Sequence, residues 1–171
     1  MDVYEAIKMR RSVRAYRITP VSEESLRKIL DAARMAPSLH NSQEYKFIVV
    51  KNSQKIEEIS KAASEQKFIA EAPMVIAGVS LNPSHIMENN VPAYAVDLAI
   101  ALDHITLAAV EEGLGTCWIT AFSQEEVKRI LGVPDEYKIV ALLTIGTPYD
   151  DPSIKSRKKL GQLVCYDNFS E

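Results

Sequence analysis

Basic side chains cluster at two places, one near each end of the chain. Arg10, Arg11, Ser12 and Arg14, here called the N-terminal cluster, place three guanidinium groups and a hydroxyl within five residues. Arginine offers a planar fork of N–H donors that matches phosphate or carboxylate, and serine adds a hydroxyl donor. A tail cluster, residues 155–159, reads Lys-Ser-Arg-Lys-Lys. Either cluster alone is also typical of a solvated surface. The pair therefore predicts an anion site only if the fold brings the two clusters together.

The remaining side chains do not form a recognisable catalytic centre. The three histidines are His40, His85 and His104, and none is spaced with a nucleophile and an acid as nucleophilic catalysis requires. No HxxH or HExxH motif and no carboxylate-rich loop indicates a metal site. We therefore expect that, if the protein is an enzyme, a bound cofactor supplies the reactive group and the chain supplies binding and electrostatics.

The bulk composition is that of a globular protein. The chain has 171 residues, 47% of them hydrophobic and 25% charged, so we expect one domain over residues 1–171. Its net charge of -3 gives no general attraction to nucleic acid or to an anionic membrane. Cys117 and Cys165 lie far apart without metal-binding spacing, and the N-terminus shows no export signal. These features predict a cytoplasmic protein with no nucleic-acid or membrane partner.

Residues 92–122 are the most apolar stretch, and they read as a long helix, a glycine stop and a short strand. Apolar residues occupy nearly every face of the helix, which predicts burial on nearly all sides. A domain of this size could hardly enclose such a helix alone, so we expect part of it to pack against a second subunit. A membrane span is the competing interpretation, which we reject because Asp97, Asp103 and His104 would be costly in lipid.

Helices and strands alternate along the chain. Apolar runs predict strands at residues 46–50, 74–79, 116–119 and 139–145, with amphipathic helical patterns between them. Taken alone, this alternation favours a parallel, doubly wound sheet.

Four blocks of sequence follow one another at residues 10–16, 36–43, 113–119 and 155–160. Together they resemble the ordered motifs of the FMN-dependent nitroreductase family, and the resemblance spans essentially the whole chain. It implies an α+β fold: a three-layer α/β/α sandwich with a mixed, mainly antiparallel sheet. It also implies an intertwined homodimer with two FMN sites at its interface and a tail, residues 148–171, that reaches over the partner subunit. We prefer this fold to the parallel sheet because a buried central helix fits a dimer core better.

The resemblance assigns roles to the basic clusters. Arg10, Ser12 and Arg14 would hold the phosphate, ribityl and pyrimidine parts of FMN, with Arg11 beside them. The tail would close on the phosphate through Lys155 and Arg157.

The resemblance also implies that other segments complete the site. Pro37, Ser38 and Asn41 would reach the flavin from the partner subunit. Gln66 would hydrogen-bond the pyrimidine ring. The backbone around Thr120 and Ala121 would face flavin N5, where a donor stabilises charge that develops on reduction.

The chain departs from the family pattern in two places. Family members often have Pro-Trp after the glutamine, where this chain has Glu44 and Tyr45. Residues 81–91 leave no room for the helical excursion that covers the active site in longer members. A more open acceptor pocket is therefore expected.

The function that the resemblance implies is that of an NAD(P)H oxidoreductase. FMN would accept a hydride from NADH or NADPH and pass electrons to a nitroaromatic, a quinone or another small acceptor in a ping-pong cycle. Two alternatives stay open. One is a non-catalytic flavin- or nucleotide-binding protein, and the other is a flavin enzyme of the same scaffold that performs reductive dehalogenation or flavin fragmentation.

Overall fold

A computed structural model describes residues 1–153 and 155–170, so positions 154 and 171 of the expected domain and tail lie outside the described residues. The helices are α1 Val3–Met9, α2 Glu23–Arg34, α3 Ser53–Ala62, α4 Phe68–Glu71, α5 Ala93–Glu111 and α6 Gln124–Leu131. The strands are β1 Tyr45–Val50, β2 Met74–Ser80, β3 Gly115–Ile119 and β4 Lys138–Gly146. Short 3-10 turns occur at Leu39–Asn41 and Leu160–Gln162.

The four strands form one sheet in the order β1-β2-β4-β3, and every neighbouring pair is antiparallel. The parallel sheet favoured by the alternation of helices and strands is therefore wrong, and the α+β fold implied by the resemblance is confirmed. Parallel pairing among the described residues is limited to one isolated bridge between Ser12 and Thr116. This bridge attaches the N-terminal cluster to the β3 edge of the sheet.

Helices cover both faces of the sheet, which makes three layers. One apolar core joins α3 and α6 to the sheet through residues such as Ile59, Val127 and Leu142. The other core joins α2 and α5 to the opposite face through residues such as Ile29 and Leu102. Because both faces are covered, all seven residues of β2 are buried.

Helix α5 is the longest helix, and it is only partly enclosed by its own chain. It packs on α2 and on the sheet through residues that are fully buried, among them Leu98, Ala101, Leu102 and Ile105. By length and composition this helix is also apolar enough to cross a membrane, but its packing is that of a core helix. Its remaining face exposes or half-exposes a stripe at helical spacing: Val96, Ala99, Ile100, Asp103, Leu107 and Val110.

Helix α1 places the N-terminal cluster. Its first turn is fixed by a reciprocal capping box in which the Asp2 side chain accepts from the Glu5 amide and the Glu5 side chain accepts from the Asp2 amide. The helix ends at Met9, and Arg10 is its C-cap. The cluster thus begins where the chain leaves the helix and enters extended structure along the sheet.

Candidate functional site

The two basic clusters line the same cleft. Its volume is about 620 Å³. The residues that line it come from α1, from the segment that follows α1 and from the tail: Ile7, Lys8, Arg10, Arg11, Ser12, Arg14, Pro152, Ser153, Lys155 and Arg157. Six residues predicted from the sequence therefore meet here, although more than 140 positions separate the two clusters in the chain.

The cleft is strongly cationic. Six basic side chains line it, and no Asp or Glu is among the described lining residues. In the described part of the chain, none of the six lies within 4.0 Å of a carboxylate oxygen. The whole chain has a net charge of -3, so this is a local concentration of uncompensated positive charge. Such an arrangement favours an anionic ligand with several acceptor oxygens.

The extended backbone after α1 determines which side chains face the cleft. Alternate residues of an extended segment point in opposite directions. Val13 is 2% exposed and packs in a small apolar cluster, while its amide donates to the Thr116 carbonyl at 2.9 Å. Its neighbours Ser12 and Arg14 consequently line the cleft.

Cys117 lies under this cationic region on β3. The thiol is buried and donates to the Trp118 carbonyl at 3.6 Å. Burial raises the pKa of the Cys117 thiol, while the positive charges of Arg14, Lys155 and Arg10 oppose that rise. A raised pKa disfavours the thiolate, so the structure does not activate the buried Cys117 thiol as a nucleophile.

Gln66, Thr120 and Ala121 form a second group. The Gln66 side-chain nitrogen donates to the carbonyls of Ala63 at 2.8 Å and Ala121 at 3.2 Å. Both of its N–H bonds are thereby used, while its side-chain oxygen accepts from no described donor. Thr120 and Ala121 are exposed where β3 ends, and no described residue accepts from the Ala121 amide. Among the described residues, the Gln66 side-chain oxygen is thus a free acceptor and the Ala121 amide is a free donor.

An aromatic contact connects this second group with the cationic cleft. The Arg14 guanidinium carbon lies 5.7 Å from the centre of the Phe68 ring, within the range of a cation–π interaction. Phe68 begins α4, two residues after Gln66, and packs against both the α3–α6 core and the cluster around Val13. Nine of the predicted residues therefore fall into two groups that the contact between Arg14 and Phe68 connects.

Pro37, Ser38 and Asn41 belong to a separate loop and do not line this cleft. The loop is internally bonded, since the Gln43 amide donates to Ser38 Oγ at 3.1 Å and the Asn41 amide donates to the Ser38 carbonyl at 2.9 Å. His40, Asn41 and Gln43 all have φ values between 51° and 56°. Left-handed backbone at three non-glycine positions is costly. The buried carboxylate of Asp97 fixes the loop, because it accepts from the Leu39 amide at 3.0 Å.

The sequence interpretation did not include Lys8 and Phe68. Lys8 lies in the last turn of α1, three residues before Arg11, and that helical spacing could have identified it as part of the cleft. Phe68 had no comparable signal, because its contact with Arg14 depends on the packing of α4 against the segment after α1.

Comparison with known proteins agrees with this fold. A model of the nitroreductase family matches residues 7–89 and 65–147. The chain is 31% identical over 173 residues to an FMN reductase [NAD(P)H] of Bacillus subtilis, across 91% of this chain and 70% of the relative. A solved nitroreductase family protein from Clostridium novyi NT is 37% identical, with a TM-score of 0.84, across 91% of this chain and 89% of the other.

A further solved structure is an FMN-dependent nitroreductase from Clostridium difficile R20291. It is 28% identical, with a TM-score of 0.84, and the superposition covers 96% of this chain and 98% of the other. The family model spans most of the chain and the structural likeness covers nearly all of it. This chain belongs to the nitroreductase family.

Proposed function

We propose that the protein is an FMN-dependent NAD(P)H oxidoreductase that reduces small acceptors such as nitroaromatics or quinones. The observation that carries this proposal is the cleft in which cationic side chains from both ends of the chain meet without acidic partners. The relatives support the chemistry, since one is named an FMN reductase [NAD(P)H] and another an FMN-dependent nitroreductase.

The described residues fit FMN at both ends of the molecule. Arg10, Arg11, Ser12, Lys155 and Arg157 would hold the phosphate, because their N–H and O–H donors line one cleft and lack competing carboxylates. Arg14 lies between this cleft and Phe68, where it would meet the ribityl and pyrimidine parts.

The second group would receive the flavin ring. The Gln66 side-chain oxygen would accept from a pyrimidine N–H, since both N–H bonds of this amide are already committed to backbone carbonyls. The free Ala121 amide at the end of β3, beside Thr120, would donate to N5. Both contacts use groups that the surrounding chain holds in place, so little ordering would be required on binding.

The chain contributes binding and orientation, not acid–base catalysis. When bound, FMN supplies the redox chemistry by accepting a hydride from NADH or NADPH and returning electrons to the acceptor. The Ala121 amide would stabilise negative charge that develops next to it. The cationic cleft would hold the phosphate end so that hydride donor and acceptor meet the ring in one orientation.

We further propose that the working unit is a homodimer. Much apolar surface is left uncovered by the single chain: Tyr4 on α1, Val96 on α5, and Leu160, Leu163, Tyr166 and Phe169 in the tail are all exposed. Exposed apolar area of this extent is typical of an interface. In the dimer, Pro37, Ser38 and Asn41 of one subunit would reach the flavin of the other, and the tail after residue 148 would lie over the partner.

We place the protein in the cytoplasm, where NADH and NADPH are available. The free thiols of Cys117 and Cys165 are consistent with a reducing compartment.

A spectroscopic titration tests the proposed activity. The purified protein should show a flavin absorption spectrum, or acquire one when reconstituted with FMN. Anaerobic NADH or NADPH should bleach this spectrum, and a nitroaromatic or quinone should restore it. A flavin spectrum that neither nucleotide changes would reject the reductase and favour a non-catalytic flavin-binding protein. A colourless protein that takes up no FMN would reject every flavin-dependent function.

A further inference from the structure

A buried tyrosine contributes to holding the segment that carries the N-terminal cluster on the sheet. Tyr16 is 6% exposed, and its hydroxyl donates to the Val13 carbonyl at 2.7 Å. The same hydroxyl oxygen lies 2.7 Å from Thr144 Oγ1. A tyrosine hydroxyl has one proton, which the carbonyl of Val13 receives, so the Thr144 hydroxyl must donate to Tyr16. These two hydrogen bonds thus connect Thr144, near the C-terminal end of β4, through Tyr16 to the backbone between Ser12 and Arg14.

A pair of glycines forms the surface on which this segment lies. Gly115 of β3 and Gly146 of β4 are opposite each other in the sheet register. A β-carbon at Gly115 would lie 2.8 Å from the Val13 β-carbon, and one at Gly146 would lie 2.9 Å from Tyr16 Cδ1. Real β-carbons do not approach so closely. The missing side chain at Gly115 therefore leaves room for Val13, and the one at Gly146 leaves room for Pro73 and Tyr16.

Backbone contacts fix the same segment at both of its ends. The Val13 amide donates to the Thr116 carbonyl at 2.9 Å, and the Arg17 amide donates to the Thr147 carbonyl at 2.9 Å. Between these points, the hydrogen bond between the Tyr16 and Thr144 hydroxyls is the sole described side-chain hydrogen bond from residues 12–16 to the rest of the fold. Neither hydroxyl is exposed to the cleft, so their contribution to ligand binding is indirect.

We propose that Tyr16 and Thr144 are positioning residues for the flavin phosphate site. Their hydrogen-bonded hydroxyls hold Val13 against the glycine pair, and this places Ser12 and Arg14 towards the cationic cleft. The proposal rests on the proposed FMN function. It adds that the preference for a phosphorylated flavin depends on two hydroxyls that do not touch the ligand.

The test compares the dissociation constants of FMN and riboflavin, measured by quenching of flavin fluorescence. Riboflavin lacks the phosphate, so the ratio of the two constants reports on the charged part of the site. Tyr16→Phe keeps the ring and removes both hydrogen bonds, and it should weaken FMN binding roughly fivefold, the equivalent of one buried hydrogen bond. Riboflavin binding should change by less than about twofold, because it lacks the phosphate. Thr144→Val should act in the same direction but less strongly, because Tyr16 can still donate to Val13.

Two matched variants separate positioning from general stability. Tyr137→Phe removes a hydroxyl that has no described partner, at a half-buried tyrosine before β4, and should leave the ratio unchanged. Ile59→Val creates a small defect in the apolar core that α3 and α6 form with the sheet and should lower the unfolding temperature without altering the ratio. An equal loss of the ratio in Ile59→Val would overturn the proposal, because general destabilisation would then explain it.

A third variant disturbs the segment without removing a hydroxyl. Gly115→Ala inserts a β-carbon against Val13 and should reduce the FMN preference at least as much as Tyr16→Phe. If the wild-type protein prefers FMN and both hydroxyl variants keep that preference, the positioning role is wrong and the proposed function stands. If the wild-type protein itself shows no preference for FMN, both the positioning role and the phosphate site are wrong.

Discussion

At the scale of single residues, the distinctive feature is a set of basic side chains in the cleft that have no acidic partner among the described residues. Some basic side chains elsewhere on this chain are paired with carboxylates, as in the Lys28–Glu112 and Arg34–Asp31 bridges at 3.0 Å and 2.7 Å. The six cations of the cleft have no such partner among the described residues. Like charges held close together repel, so the arrangement lowers stability unless an anion occupies it. Because this repulsion lowers the stability of the free protein, its concentration in the cleft favours a role for the cleft in binding an anion.

Removing single cations from the cleft should weaken FMN retention. Arg10→Ala and Arg157→Ala each delete a donor from opposite ends of the chain, and each should cost about 1.5–3 kcal/mol of FMN binding, typical of a hydrogen bond to a charged group. Equilibrium dialysis measures the loss. Arg27→Ala is the control, because it removes the same charge from the exposed surface of α2. If both cleft variants purify fully loaded with FMN, the phosphate assignment is wrong.

Tyr16 should produce a specific pH dependence of stability. Burial raises the pKa of Tyr16 above its ordinary value of 10.0, more than the hydrogen bond from Thr144 lowers it. Above about pH 10, Tyr16 loses its proton in the unfolded chain but keeps it in the folded chain. The stabilisation is therefore complete below about pH 10 and declines as the pH rises, by up to about 1.4 kcal/mol per pH unit.

Urea unfolding of the wild-type protein and Tyr16→Phe measures this effect. The stability advantage of the wild type should shrink between about pH 9 and about pH 11, while other tyrosines cancel in the comparison. A difference that stays constant across this range would contradict a buried, protonated Tyr16.

At the scale of elements, contacts between distant segments assemble the site. The α5 residue Asp97 is 7% exposed and accepts from the Leu39 amide in the loop that follows α2. This one carboxylate joins the strained loop to the longest helix. The hydrogen bond compensates part of the cost of the left-handed backbone at His40, Asn41 and Gln43.

Asp97→Ala should release this loop. The Leu39 amide would lose its acceptor, which should cost about 1–3 kcal/mol of folding stability. Amide hydrogen exchange should increase mainly in residues 38–43. In the proposed dimer FMN affinity should also fall, because Ser38 and Asn41 serve the partner's flavin. Unchanged exchange in that loop would show that Asp97 does not hold it.

Several elements could be predicted from the sequence because their signals are local. The apolar runs located β2 and β4 to within one or two residues. Asp2 and Ser123, residue types that favour the N-cap position, cap α1 and α6 with their side chains. The direction of strand pairing could not be predicted, since alternating helices and strands are compatible with both sheet types. The resemblance to a family supplied that information.

The same distinction applies to the site. The basic clusters could be recognised by residue type, and the fold brings them together. Their supports could not be recognised, because Tyr16 and Thr144 are 128 positions apart and meet only in the folded sheet. The pairing of Gly115 with Gly146 likewise depends on strand register, which no local pattern in either segment encodes.

At the scale of the whole molecule, the single chain leaves apolar surface exposed. Its longest helix presents an apolar stripe to solvent, and its tail, from Leu160 to Phe169, has no buried residue among those described. The loop with Ser38 and Asn41 stands apart from the cleft of its own chain. A homodimer would cover the stripe and bring that loop to a flavin. Dimerisation and FMN binding would then depend on each other.

A charge on the stripe should prevent that assembly. Val96→Glu places a carboxylate at the proposed interface, where an unpaired buried charge is strongly unfavourable, so sedimentation should show a monomer that retains little FMN. Lys55→Gln is the control, because it makes the same change in net charge on α3 in the opposite layer. A Val96→Glu protein that stays dimeric and loaded would place the interface elsewhere.

The central claim is that cations from the two ends of the chain bind the phosphate of a flavin. The most direct test is the affinity of the wild-type protein for FMN and for riboflavin, measured in parallel at low and high salt. The account predicts that FMN binds at least about a hundredfold more tightly at low salt, equivalent to about 2.7 kcal/mol, and that high salt reduces this preference. Equal affinity for the two flavins, or a preference that salt does not change, would contradict it.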